Sequence, residues 1–217
     1  MKSSWDETQA RSNYHFDPRI KDRKRDVMTP LGKFNPRSWA DDLDDIISSS
    51  TPAQWANRGY KGEGVEVPPV DLAAEEYDIS RVGADPKQTI THLNWKIPAS
   101  LQYISDSFEM TDVMNRIHVQ MPGEVWHRHI DKLQKWSPED PGQVLRIFIQ
   151  LTDWQPGQFW EYGNYHWHQW RAGDTSTFDW ANMPHCTANA GHHPRVTFQI
   201  TGVMTKKTKK YLKQLAK

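Results

Sequence analysis

From residue 90 onward the chain alternates. Residues 114–121 set Ile117, Val119 and Met121 against Arg116, His118 and Gln120, and residues 144–152 set Leu145, Ile147, Ile149 and Leu151 against Arg146, Phe148 and Gln150. A period of two belongs to a strand whose two faces meet different surroundings. Residues 90–97, 159–162, 165–171, 175–180 and 195–203 are further short strand candidates, separated by Gly, Pro, Asn and Asp. A series of short strands with turn residues between them predicts a mainly β domain, a sandwich or barrel.

The first 89 residues read differently. Residues 37–57 place Trp39, Leu43, Ile46 and Ile47 at helical spacing, with the acids Asp41, Asp42, Asp44 and Asp45 toward the start, where they favour a helix N-terminus. A second helix is predicted from Thr51-Pro52, with proline at its first position. Residues 58–89 hold Gly62, Gly64, Pro68, Pro69, Gly83 and Pro86, the chemistry of loops. Residues 1–35 are polar and aperiodic and read as an arm. Residues 206–217 predict a short basic helix. The organisation expected is an N-terminal arm and helical extension (1–89), a β core (90–205) and a basic tail (206–217).

Composition narrows the function classes. At 217 residues and 25.3 kDa the chain suits one domain with an extension, and a mean hydropathy of −0.84 implies that part of it is solvated. No apolar run is long enough to cross a bilayer, and no secretory pattern opens the chain. The single cysteine, Cys186, excludes an internal disulfide and a Cys-rich zinc site, so a reducing cytoplasm is the default. Net charge is zero, yet residues 1–35 carry eight bases against five acids and residues 206–217 carry six lysines and no acid. The body between them is acidic, which argues against nucleic-acid binding, and the basic ends read as solvated tails.

Candidate chemistry lies in the second half, which holds eight of the ten His and seven of the eleven Trp. In the segment 122–131, His129 and Asp131 stand two apart and point the same way on an extended chain; so do His127 and His129. A later histidine, His185 after Pro184, completes a three-ligand face. Two His and one carboxylate on one face of an octahedron leave three positions open, the arrangement of non-haem Fe(II) oxygenases. Those positions suit a bidentate 2-oxo acid and O2. A far carboxylate on that acid needs a cation. Arg195 opens a strand ten residues after His185, with Thr197 on the same face, and a guanidinium with a hydroxyl makes a carboxylate receptor.

The order His129/Asp131, His185, Arg195/Thr197 resembles the 2-oxoglutarate/Fe(II)-dependent dioxygenases over roughly residues 114–203. The Gly173-Asp174 turn and Phe178 match it as well. The resemblance implies a double-stranded β-helix (jelly roll), with Fe(II), 2-oxoglutarate and O2 as cofactors and a small-molecule or peptidyl substrate. Within the superfamily, the run from Arg146 to Arg195 is similar to aspartyl/asparaginyl β-hydroxylase-like members, which implies a cosubstrate role for Arg146. Those members can lack the carboxylate ligand, whereas this chain has Asp131. Trp160 and Tyr162 fall where the family places substrate-facing residues, and Gln120 is placed toward the cavity by alternation.

Plainer readings stand beside these. Arg146 equally suits a salt bridge on a sheet face, and most Trp rings suit core packing. His166 and His168 read as sheet-face residues, His192 and His193 as solvent-exposed loop. A His127/His129 pair with His185 and Asn189 resembles a cupin, but no Glu follows His129 at short spacing. The function expected is a hydroxylating dioxygenase, and the rival is a non-catalytic, cupin-like metal- or ligand-binding protein.

Overall fold

The computed structural model describes residues 24–54, 61–62, 65–66, 87–129, 131 and 133–215. Most of the loop stretch 58–89 and the arm over residues 1–23 lie outside them.

The alternating segments become the centre of a seven-stranded antiparallel sheet. Its strands are β1 (Thr29–Lys33), β2 (Thr51–Gln54), β5 (Thr89–Asn94), β6 (Thr111–Gln120), β8 (Val144–Gln150), β11 (Asp174–Thr177) and β13 (Arg195–Val203), in the order β1-β11-β8-β13-β6-β5-β2. A four-stranded sheet faces it, built from β7 (Val125–His129), β9 (Gln158–Tyr162), β10 (Tyr165–Trp167) and β12 (His185–Asn189), in the order β10-β9-β12-β7. A two-residue ladder joins β3 (Lys61–Gly62) to β4 (Val65–Glu66).

Every residue of β8 is buried, because both faces of the large sheet are covered. Ile147 and Ile149 point to one side with Ile117, Phe198 and Ile200, and there meet Trp39, Ile46, Leu101, Ile104 and Phe108. Those partners come from the N-terminal turns and from α2 (Leu43–Ser48) and α3 (Ala99–Ser107). The helix α4 (Lys206–Leu215) adds Tyr211, Leu212 and Leu215 to this cluster and leaves Lys206, Lys207, Lys209, Lys210 and Lys213 exposed. Each fully buried Ile, Leu or Phe of the cluster contributes roughly 1.5–3 kcal/mol by leaving water. On the opposite face Phe148 meets Trp160, Tyr162, Trp167, Trp170 and Phe178 from the small sheet and its loops. The alternation therefore separates two buried environments, and the polar members, Arg116, His118, Gln120, Arg146 and Gln150, all face between the sheets.

Two helical expectations fail. Residues 37–57 are not one helix: two 3-10 turns, Pro36–Ser38 and Ala40–Asp42, precede the short α2. The run Ser48-Ser49-Ser50-Thr51 has little helix preference, and the hydroxyls of Ser48, Ser49 and Ser50 turn back onto carbonyls of the preceding turn. The helix placed at Thr51-Pro52 is instead β2, the edge partner of β5. Tertiary pairing overrides the proline signal there, and an edge strand tolerates a residue that cannot donate to the ladder. The other edge, β1, also carries a proline, Pro30. A short helix, α1 (Lys24–Val27), precedes it.

Gly173 holds the turn before β11 at φ 93°. Its N–H donates to Gln150 O at 2.7 Å and its carbonyl accepts from Phe34 N at 3.1 Å. A side chain there would collide with the Phe34 carbonyl, so the turn demands glycine on conformation and on space.

Candidate metal centre

The small sheet brings the distant histidines together: β12 runs antiparallel to β7, with His185 paired to His129. Asp131 follows just past the end of β7. His129, Asp131 and His185 form one buried group whose donor atoms all lie within 4.8 Å of one another. His129 Nε2 is 3.8 Å from Asp131 Oδ1, and His185 Nε2 is 3.7 Å from Asp131 Oδ2. Those gaps are too long for hydrogen bonds. They are within the roughly 4.2 Å that two donors about 2.1 Å from one ion can span.

The tautomers fit the same purpose. His129 Nδ1 lies 2.7 Å from the His127 carbonyl and His185 Nδ1 lies 3.2 Å from the Met183 carbonyl. A carbonyl only accepts, so each Nδ1 carries the proton and each Nε2 presents its lone pair toward Asp131. Trp126 stacks on His129, with centroids 5.5 Å apart and planes at 14°, and Phe178 meets His185 edge-on at 4.9 Å. These rings hold the imidazoles in place.

Electrostatics keeps the buried carboxylate ionised. Burial alone raises the Asp131 carboxyl, but the Arg146 guanidinium, with His185 and His129, outweighs it and holds the group well below the usual carboxylate range. Burial pushes His185 down despite the opposing pull of Asp131, so the ring stays neutral. Arg146 Nη1 lies 2.6 Å from Asp131 Oδ2, and Arg146 Nε donates to Thr201 Oγ1 at 3.1 Å. Arg146 thus makes an ion pair inside the cavity whose wall it also forms.

The cluster opens into a cavity between the sheets, also lined by Arg116, His118, Trp160, Arg195, Thr197 and Gln199. The cavity measures about 30 Å³. Arg195 is buried; its Nε and Nη2 both donate to Gln120 Oε1, at 3.2 and 2.9 Å. Its Nη1 has no hydrogen-bond partner among the described residues. Its guanidinium lies 4.5 Å over the Trp160 ring, a cation–π contact. Burial pulls the Arg195 pKa down to about 9, which leaves it charged at neutral pH. Gln120 therefore orients the arginine, with its own Nε2 anchored on Thr187 Oγ1 at 3.1 Å.

Thr197 gives its hydroxyl proton to Gln150 Oε1 at 2.9 Å. Gln150 Nε2 is buried without a partner among the described residues. Thr197 is evident from its spacing to Arg195, whereas Gln150, on the polar side of β8, carries no such spacing signal. Tyr162 stands behind Trp160, fully buried against Phe178 and His185. Arg116, His118 and Gln199 were not singled out either: His118 Nε2 and Arg116 Nη2 both reach Gln199 Oε1, at 3.1 and 3.0 Å. The available signal was the polar half of the alternation in β6.

The cupin-like set does not assemble. His127 lines a separate groove with Arg128 and Cys186, and Asn189 spends its Nδ2 on the carbonyls of Gln120 and His193. His166, bonded to Glu161 at 2.8 Å, is exposed, as are His168, His192 and His193. Burial raises the Cys186 thiol to about 12, so it is not a nucleophile at neutral pH.

His118 makes stability depend on acid. Burial, with Arg116, Arg195 and Arg146 nearby, pushes its pKa well below 6.5. The unfolded chain then binds a proton that the folded state refuses, so stability is complete above that ordinary value and declines as pH falls through it. Going from about pH 7.5 to about pH 5.5 is expected to cost about 1.4 kcal/mol from this ring. Asp131 contributes only at far lower pH. Thermal melts across that range should show a shallower slope in His118→Gln, and identical slopes would refute the assignment.

No protein-family model matches the chain, and no curated protein matches it either. Solved structures do. The non-heme alpha ketoglutarate dependent epimerase SnoN from nogalamycin biosynthesis aligns with a TM-score of 0.54 at 11% identity, covering 83% of this chain and 80% of that one. The fold is a double-stranded β-helix. The non-heme monooxygenase ThoJ aligns at 0.46 and 16% identity, covering 84% of this chain and 76% of its own, and a Pseudomonas putida prolyl-4-hydroxylase at 0.43 and 17%, covering 76% and 98%. No helix among the described residues is long and apolar enough to cross a membrane.

Proposed function

We propose that this protein is an Fe(II)- and 2-oxoglutarate-dependent dioxygenase that hydroxylates a C–H bond of an amino acid, a peptidyl side chain or another small metabolite. The observation that carries the reading is the convergence of two Nε2 lone pairs and one ionised carboxylate at the wall of a cavity that also holds a buried guanidinium whose Nη1 has no partner among the described residues. His129, Asp131 and His185 would hold the metal. Iron(II), when bound, supplies the activation of O2 that couples oxidative decarboxylation of 2-oxoglutarate to oxidation of the substrate.

The chain's own residues do the rest. Arg195 offers Nη1 to the far carboxylate of the dicarboxylate, with Gln120 fixing the fork and Trp160 shielding its face. Gln150 offers its Nε2 as a second donor, and Thr197 orients that amide by donating to its oxygen. Trp160 walls the cavity and keeps water from the anionic ligand, and Tyr162 supports it from behind.

The test is succinate release from 2-oxoglutarate by the purified protein with Fe(II), ascorbate and air. Uncoupled succinate formation that disappears in His129→Ala is the result expected. Metal binding with no succinate under any substrate mixture would favour a binding protein that holds an ion and performs no oxidation.

A further inference from the structure

Arg146 is already ion-paired to the carboxylate that the proposed metal requires. Its Nη1 is 2.6 Å from Asp131 Oδ2, and both side chains are almost fully buried. This is not a rotamer drawn in from outside. Arg146 stands in the middle of β8, where Thr201 is its register partner on β13. Thr201 Oγ1 accepts from Arg146 Nε at 3.1 Å and also from Gln199 Nε2 at 3.3 Å. Gln199 Oε1 is in turn held by Arg116 and His118. The Arg146 backbone carbonyl accepts from Thr177 Oγ1 at 2.7 Å. The guanidinium is fixed from behind, and Asp131 cannot leave it without being stranded in a buried site.

We propose that Arg146 is a positioning residue that couples the metal to its dianionic cosubstrate. This rests on the reading of His129, Asp131 and His185 as metal ligands. A divalent ion entering beside Asp131 meets a fixed positive charge that already shares the carboxylate, and in a buried site that repulsion is weakly screened. Metal, carboxylate and guanidinium together carry +2. A dianion offsets that excess beside the metal, while its far carboxylate meets the further charge of Arg195. Metal alone is therefore held weakly, and metal with a dianion is held much more tightly. Reciprocity requires that the dianion likewise bind poorly before the metal. Without Arg146, metal and carboxylate sum to +1, so the ion binds more readily alone and gains less from the dianion.

The experiment follows free Mn(II) by its electron paramagnetic resonance signal, titrated into the full chain without O2, with and without 2-oxoglutarate. In Arg146→Met, Mn(II) affinity without 2-oxoglutarate is expected to rise about ten-fold or more, while the gain that 2-oxoglutarate adds shrinks. The metal-free variant should also melt at a lower temperature, because Asp131 is left buried and unpaired, and Mn(II) should restore most of that loss. Should the methionine variant not fold, Thr201→Val loosens Arg146 and should move both quantities in the same direction by a smaller factor. Arg146→Lys, which keeps the charge, should stay near the parent. Equal or weaker Mn(II) affinity in Arg146→Met and Thr201→Val overturns the coupling role and leaves the metal centre standing. Failure of the unaltered protein to bind Mn(II) with or without 2-oxoglutarate overturns the metal reading and the proposal together.

Discussion

His185→Ala is expected to abolish Fe(II) binding and every trace of succinate formation while the protein stays folded. Loss of a partner that merely orients a ligand costs about 10–100-fold in metal affinity. Loss of one ligand among three therefore sets a floor of about 100-fold, and no other described carboxylate, thiol or imidazole stands in the cluster to replace it. The fold has little stake in this ring. Its strand is held by backbone pairing to β7 and β9, and Asp131 keeps its partner Arg146. The expected stability change is about 1 kcal/mol, ordinary for a point substitution. Metal titration with circular dichroism on the same sample checks both halves. Full Fe(II) affinity in this variant would remove His185 from the centre.

The second large effect falls on the cosubstrate. Arg195→Ala is expected to weaken 2-oxoglutarate by roughly ten- to several-hundred-fold, because a lost hydrogen bond to a charged group costs about 1.5–3 kcal/mol and a stranded carboxylate costs more. Metal binding should survive, since Arg195 touches Gln120 and Trp160 and none of the three ligands. The variant also leaves Gln120 Oε1 unsatisfied, so a modest fall in melting temperature should accompany it. Titration of 2-oxoglutarate into the Mn(II)-loaded variant reads the loss directly. Unchanged affinity would transfer the anchor to another guanidinium in the cavity, Arg116 or Arg146.

The β core was legible because alternation survives in a sheet covered on both sides. Ile147 and Ile149 differ from Arg146 and Phe148 in kind even though all four are buried. The candidate ligands were legible from spacing, since His129 and Asp131 need only a strand end and His185 only a neighbouring strand. What escaped was anything decided by long-range pairing. Thr51-Pro52 carries a helix-start signal, yet β5 recruits it as an edge. The helix α3 went unread because Leu101 and Ile104 give it too short an apolar stripe to stand out. The pairing of Arg146 with Asp131 was open for another reason. An arginine on the polar side of a strand has many candidate anions, and only the packing of the two sheets selects one.

The prolines at the margins of the large sheet have a bearing on life in a crowded solution. Pro30 lies in β1 and Pro52 in β2, the outermost strands of the sheet among the described residues. Neither can offer an N–H to an incoming strand, so each border is missing a rung where a neighbour would attach. Unprotected borders are where sheet proteins recruit one another into shared ladders and aggregates. Here both borders are blunted by the same residue, and lateral growth from one molecule to the next is disfavoured on either side.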